Sequence, residues 1–349
     1  MRKECFVVLM VLSLSFLEGC VPKPVKPAGP AVPDNGYVTE FSFPDVSTRL
    51  ESVTHSVSKL FTVAYYSTYR FGAADHYKQY SLSSGDFKSR AATKTVSHET
   101  ISGTMTLIAH SENRVVFLTC AHILDFPDTV VTFADPSRTL STDEVTAIAV
   151  KERQEIYCRA LPGCGRVDIL AMDRENDIAL VGKECPEPVT GMNPFIYPLG
   201  RAKELGWGSA AYVIGFPMGT MMVTKGIVSN PNSDESAGFM MDALFNKGFS
   251  GGIILSARSG SSGFELMGMV RSAYSKRDYV LRPEKEIHEY TYSQNVPYTG
   301  GIYAATDESI NYGVTYVIPA EALRSFYVKN REALLAMGYN LDPFFLSGR

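Results

Sequence analysis

From about residue 100 the chain is a succession of short apolar runs separated by turn residues. They include "GTMTLIAH", "NRVVFLTCAH", "DTVVTFA", "DEVTAIAVK", "DIALVGK", "SAAYVIGF", "TKGIVSN", "SGGIILSA", "FELMGMVRSAY" and "YGVTYVIPA". Val, Ile, Thr, Tyr and Phe suit a pleated, half-buried surface, and the Gly, Pro, Asn and Asp between the runs reverse the chain. No regular strand–helix–strand alternation appears, which argues against a parallel α/β fold. Many short strands in series leave an all-β barrel or sandwich. Residues 45–62 instead place Val46, Leu50, Val53, Val57 and Leu60 at helical spacing, with Asp45 or Ser47 as a cap. "FTVAYYSTYRF" follows as a strand, and the polar residues 72–97 read as a loop. After Pro319, "AEALRSFYVKNREALLAMGY" predicts a C-terminal helix with Leu323, Phe326, Leu334 and Leu335 on its apolar face.

The N-terminus has a different character. Arg2 and Lys3 precede an apolar run, "CFVVLMVLSLSFL", of signal-peptide length, and "LEGC" ends at Cys20. This resembles a bacterial lipoprotein signal. The resemblance implies a signal peptide over 1–19, cleavage before Cys20 and lipidation of its thiol with palmitate-type chains. Val21 is not the Asp that retains some lipoproteins at the inner membrane, so the expected location is the outer membrane or cell surface. Residues 20–36 are Pro-rich and read as an extended tether holding a domain, 37–349, away from the membrane.

With 45% hydrophobic and 20% charged residues the composition is that of a globular chain. A net charge of -4 and no Lys/Arg cluster speak against a nucleic-acid partner. An exported chain can form disulfides. Cys158 and Cys164, in "CRALPGC", are placed to close a small loop, although other pairings involving Cys185 stay open. Cys120 reads as a buried apolar thiol. No His pair has ligand spacing and no HExxH or paired-Cys pattern occurs, so neither a metal site nor a cofactor is expected.

Three short motifs carry the chemistry: "LTCAHIL" with His122, "ENDIALV" with Asp177 and "GFSGG" with Ser250. Each is weak alone. A serine hydroxyl is a poor nucleophile unless a base removes its proton, a role that suits His122. Asp177 would then hold the imidazole in the useful tautomer. The N–H groups of Gly248 and Ser250 are candidates for an oxyanion hole, and the glycines around Ser250 permit the backbone this requires.

In this order the motifs resemble a trypsin-like (chymotrypsin-fold) serine peptidase. "DALFNKGFSGG" (242–252), "AAYVIGFPMGTMMVTKGIVSN" (210–230), "YGVTYVIPAEAL" (312–323) and "SGTMTLIAH" (102–110) are further similar to the protease domain of HtrA/Deg-type enzymes. The resemblance covers about 100–330. It implies two six-stranded antiparallel β-barrels, at about 60–190 and 191–320, with a C-terminal helix over about 320–337 and the triad in the cleft between the barrels. The long run from His122 to Asp177 implies an inserted loop around 136–166. PDZ domains, usual in that family, do not follow, so capture of substrates through them is not expected. Phe249 stands where digestive enzymes carry an Asp, so activation by a newly cut N-terminus is not expected either. The pocket floor would fall on Leu244 and one wall on the strand bearing Met269 and Arg271. Leu244 offers no counter-charge, so an apolar side chain is expected at the cleavage site. Substrates would be polypeptides, and no oligomeric state is assigned. The competing expectation is a catalytically silent trypsin-fold protein that binds a partner through long loops such as 275–311.

Overall fold

The computed structural model describes residues 36–41, 43–72, 77–79, 85–134, 143–161, 165–234, 238–243, 246–272, 275–283, 298–310 and 313–346. The segment expected as a signal peptide, Cys20, nearly all of the segment expected as a tether, Cys164 and Leu244 lie outside them.

The first helix, α1 (Val46–Thr54), ends earlier than the apolar spacing predicts. Val57 and Leu60 instead open β1 (Val57–Arg70), which absorbs the β-branched and aromatic residues that follow. Asp45 stands at the helix N-terminus with φ 62° and makes no side-chain cap bond. After a short helix α2 (Phe87–Arg90) come β2 (Thr93–Ser111), β3 (Arg114–Thr119), β4 (Thr129–Phe133), β5 (Val145–Cys158), β6 (Arg166–Asp173) and β7 (Ile178–Glu184). The segment expected as a loop thus already becomes strand at Thr93. β5 and the start of β6 occupy much of the stretch expected as an inserted loop around 136–166.

These strands form a sheet of order β1-β2-β3-β7-β6-β5-β4, and a further β1–β5 pairing closes six of them into a barrel. β4 remains outside the ring, on the edge of β5. The second barrel comprises β8 (Ala210–Gly215), β9 (Met222–Asn230), β10 (Phe239–Met241), β11 (Ile253–Ser256), β12 (Glu265–Ser272) and β15 (Thr315–Pro319). It closes in the order β10-β15-β12-β11-β8-β9. Between β12 and β15, β13 (Ser275–Pro283) and β14 (Ile302–Ile310) pair as a separate two-stranded ribbon where the sequence suggests a loop.

Inward residues of both barrels meet in one continuous apolar core. Leu60, Met105, Phe117 and Leu180 of the first barrel share it with Ile214, Ile253, Met269 and Ile318 of the second. Each fully buried side chain of this size contributes about 1.5–3 kcal/mol relative to exposure. Helix α3 (Ala320–Ala336) starts directly after Pro319 and buries Leu323, Phe326, Tyr327 and Leu334 against this core. A last turn, α4 (Asp342–Phe345), folds back so that Tyr327 stacks on Phe345 with ring centroids 4.6 Å apart. Arg331 donates to Asp342 Oδ1 at 2.8 Å and Oδ2 at 2.6 Å.

The disulfide expectation is corrected. Cys158 is a free thiol, buried, and its pKa is pushed up to about 12 by that burial. Cys185 is the disulfide-bonded cysteine among the described residues. An apolar seat at the end of β5 keeps the Cys158 thiol neutral and inaccessible, which proximity in sequence does not reveal.

Candidate active site

β3 delivers His122. Its last residues are held against β2, where the Thr119 hydroxyl donates to Thr104 O at 2.7 Å. The chain then makes a single 3-10 turn, Ala121–Ile123, that sets the imidazole at the rim of the first barrel. The Asp177 turn lies between β6 and β7. Asp173 builds it by accepting the N–H groups of Glu175 at 3.0 Å and Asn176 at 3.1 Å. Asp177 itself has φ 59°, a left-handed conformation that Asp tolerates better than most side chains.

The two residues meet closely. Asp177 Oδ1 accepts the backbone N–H of His122 at 2.8 Å. His122 Nδ1 lies 2.8 Å from Oδ2 and 3.0 Å from Oδ1. The Asp177 side chain is 8% exposed and that of His122 42%. A buried carboxylate facing Nδ1 favours the tautomer with the proton on Nδ1, which leaves the Nε2 lone pair free as a base. Cys120 lies beside them, its sulfur donating to Val270 O at 3.2 Å. Burial and then the neighbouring Asp177 charge push its thiol well up, so it stays protonated.

Cys120, His122 and Asp177 place their donor atoms within 4.8 Å of one another, a grouping that could suit a soft divalent ion. In this arrangement the carboxylate accepts the backbone N–H of His122 and faces its Nδ1, and the thiol donates to Val270 O.

Ser250 comes from the second barrel, in the loop between β10 and β11. Gly248 has φ 105° and Gly251 φ 83°. A Cβ at Gly251 would collide with Thr104 O, and one at Gly248 with Phe216 O, so both positions require glycine for space as well as for backbone. The loop is fastened through its carbonyls. Thr104 N–H donates to Ser250 O at 2.8 Å and the Thr104 hydroxyl to Gly248 O at 2.7 Å. Gly251 N–H donates to Val270 O at 2.9 Å. The N–H groups of Gly248 and Ser250, both in buried residues, have no hydrogen-bond partner among the described residues. Two unspent N–H donors flanking a serine form a place for negative charge. Phe249 is buried in the core of the second barrel, which anchors the loop between these two amides.

Thr104 is the residue that the sequence motifs do not single out. It sits on β2, fully buried, and it is bonded to the nucleophile loop, to Phe216 N–H at 2.9 Å and to Thr119. Its neighbour Gly103 fits where any Cβ would collide with Ile123, next to His122, and lie 3.1 Å from Ser250 O. Gly103 and Thr104 are thus the joint that brings the His122 turn and the Ser250 loop together. No hydrogen bond joins Ser250 Oγ to His122 among the described residues.

The expected pocket residues part company. Met269 is fully buried in the core, on β12 between β11 and β15. Arg271 is half-exposed and turns toward Asp177, with Nε 3.7 Å from Oδ2. Leu244 lies outside the described residues.

A family profile for the trypsin-like peptidase domain matches residues 103–262, which include His122, Asp177 and Ser250. Over that segment the chain is similar to a trypsin-like peptidase domain. Solved structures similar to it include the HtrA-type protease AlgW, as a serine-to-alanine variant with a decapeptide, at 15% identity and a TM-score of 0.42. That likeness covers 84% of this chain and 67% of the other. A serine endoprotease from Yersinia pestis aligns at 15% identity and a TM-score of 0.37, covering 83% of this chain and 67% of its own. No curated protein sequence matches the chain. The peptidase domain sets its three chemical groups on separate elements of two barrels, joined at Gly103 and Thr104.

Proposed function

We propose that this chain is a lipid-anchored serine endopeptidase in which His122, Asp177 and Ser250 act as one unit. In this reading Ser250 Oγ attacks a peptide carbonyl while its proton passes to His122 Nε2. The carbonyl oxygen becomes an oxyanion bound by the N–H groups of Gly248 and Ser250. Collapse of the tetrahedral intermediate breaks the C–N bond, and the amine leaves with the proton returned by His122. The resulting ester on Ser250 is hydrolysed by water through the same steps, and the second product leaves as a carboxylic acid. Asp177 stabilises the imidazolium formed in each half-reaction.

The observation that carries this reading is the pair of unspent N–H groups beside Ser250, together with the 2.8 Å contact between His122 Nδ1 and Asp177. Backbone donors are nearly always paired within a folded chain, so a pair left open beside a serine is available to a ligand. That favours a working site over a silent binding module. The finer parts of the proposal rest on sequence. "LEGC" at 17–20 supports a lipid on Cys20 and an exported protein held at the outer membrane or cell surface. Leu244, uncharged, supports an apolar side chain on the acyl side of the cut bond.

The test is labelling by a fluorophosphonate probe and cleavage of casein, for the chain from residue 37 and for Ser250→Ala. We expect both activities in the wild type and neither in the variant, with mapped cuts following apolar residues. A folded wild type that labels no faster than Ser250→Ala would sink the reading. For the anchor, radioactive fatty acid should enter the full chain and not Cys20→Ser.

A further inference from the structure

β2 has an open edge that begins at the nucleophile loop. The strand pairs with β1 residue for residue from Thr106–Val57 to Thr93–Arg70, without a shift. β3 covers its other edge only from Thr106 onward. Thr104 faces that other edge: its N–H donates to Ser250 O at 2.8 Å, and its O accepts the Thr119 hydroxyl. Backbone direction alternates along an antiparallel ladder, so Ser102, Thr100, His98, Val96 and Lys94 turn their N–H and C=O groups the same way. These groups have no partner among the described residues, and every residue from Thr93 to Ser102 is exposed. The side chains lean back toward β1 and leave the edge clear. Ser97 Oγ lies 3.1 Å from Thr68 Oγ1, and Lys94 Nζ lies 5.4 Å from the centre of the Tyr69 ring. β1 is itself paired with β5 on its far side from Leu60 to Arg70, so the edge has a firm backing. The stretch has neither a Pro nor a bulge, two devices with which proteins blunt an exposed edge.

Building on the peptidase reading above, we propose that the edge from Thr100 back to Lys94 takes up the leaving side of an extended polypeptide substrate as a further strand, well past the cut bond. The direction follows from the chemistry. The departing amine takes its proton from His122, which belongs to the first barrel. Gly103 packs against Ile123, next to His122, so the amine departs beside the start of this edge. Chain running on from there passes Ser102 first and Thr93 last, opposite to β2 and therefore antiparallel to it. At about 3.4 Å per residue, the exposed stretch Thr93–Ser102 accommodates about 30 Å of chain. Pairing of this kind reads backbone rather than side chains. The substrates it suits are unfolded or extended protein segments that continue well beyond the cut, because a folded loop has no free backbone edge to offer.

The experiment compares kcat/KM for two β-casein segments that share one mapped cut and continue two or nine residues beyond it. The wild type should cut the longer one about tenfold better, the gain expected from a few added backbone hydrogen bonds. In His98→Pro this preference should shrink to about threefold or less, because proline removes one outward N–H and spares the ladder with β1. The ratio is taken within each protein, so a general loss of activity cancels. N-methylation of the longer peptide tests the pairing without altering the protein. Two peptides methylated on alternate amides from the fifth residue past the cut, out of step by one residue, should differ, since only one set faces β2. Equal cutting of both would overturn the strand pairing and leave the peptidase reading intact. So would a wild type that labels with fluorophosphonate but shows no preference for length. A dimer seen by light scattering and lost in His98→Pro would give the edge to a second copy and equally overturn it. If the folded wild type neither labels nor cuts, the peptidase reading falls and this inference falls with it.

Discussion

The turn that carries Asp177 and the loop that carries Ser250 both use left-handed backbone, at 59° for Asp177 and at 105° and 83° for Gly248 and Gly251. They are held by different means. The turn is built by its own residues, since Asp173 accepts from Glu175 and Asn176 within three positions. The loop makes two local bonds, Phe249 N–H to Asn246 O at 3.1 Å and Gly252 N–H to Phe249 O at 2.7 Å, and adds several from distant chain: Thr104 of the first barrel, Val270 on β12 and Met218 N–H, which donates to Lys247 O at 2.9 Å. A locally built turn can form before the barrels dock. The nucleophile loop reaches its working shape only when β2 is seated against it. The barrel interface thus governs the oxyanion site, while the Asp177 turn takes from the second barrel only the half-exposed Arg271 side chain, at 3.4 Å from Glu175 O and 3.7 Å from Asp177 Oδ2.

The largest test of this difference is Gly251→Ala. The new Cβ would run into Thr104 O, a backbone atom with no room to yield, in a conformation alanine avoids. We expect a stability loss of about 2–4 kcal/mol and fluorophosphonate labelling reduced by a hundredfold or more. Labelling within tenfold of the wild type would mean that the loop sets its shape without the first barrel.

Thr104→Val is more selective. It keeps the volume and removes the hydroxyl that donates to Gly248 O and accepts Phe216 N–H. One buried and one part-buried backbone group lose their partner, at a cost of about 1–3 kcal/mol. Because Gly248 O belongs to the residue whose N–H faces the oxyanion, labelling should drop by about tenfold, more than the melting temperature suggests. Rescue by Thr104→Ser, which keeps the hydroxyl, would assign the loss to the hydrogen bonds. A Thr104→Val enzyme labelling at the wild-type rate would leave Thr104 as core packing only.

The contrast also explains what the sequence disclosed. The strands were legible because β-branched and aromatic residues recur at barrel spacing. The His122, Asp177 and Ser250 motifs were legible because each is a contiguous run with its own local geometry. Thr104 was not, since its role exists only once β2 crosses to the second barrel, and a Thr in a strand is ordinary. Met269 and Arg271 share a strand, and sequence could not tell which would face the core, because the pairing of β12 with β15 shifts register between Val270 and Ser272. The end of α1 was misplaced because Val57 and Leu60 satisfy a helical period and a strand period equally well. The ribbon β13–β14 escaped because its polar, alternating residues carry no apolar face to announce it.

The smallest effect separates the two regions by pH. Asp173 has some burial, which pushes its carboxyl up, but the Asn176 side chain and amide, the Lys329 charge and the Glu175 amide outweigh it and leave it below the ordinary carboxylate range. A carboxylate lowered on folding stabilises the native state fully above its unfolded value, near about 3.9, and the contribution disappears as pH falls through the lower folded value. Asp173→Asn keeps an oxygen for the N–H groups of Glu175 and Asn176, and removes the charge together with the oxygen that accepts from Asn176 Nδ2. The melting temperature should therefore fall by about 1–2 °C at pH 7, and this gap should narrow as pH falls below about 4. No ionisable group enters the bonds that Thr104 makes, so the gap between wild type and Thr104→Val should stay constant over the same range. Thermal melts of the three proteins at pH 7, 4 and 3 measure both gaps at once. An Asp173→Asn gap that does not narrow at all from pH 7 to pH 3 would show that neutral hydrogen bonds alone hold the Asp177 turn. A Thr104→Val gap that closes with acid would show that the loop leans on a carboxylate after all, and the division between a self-built turn and a barrel-built loop would fail.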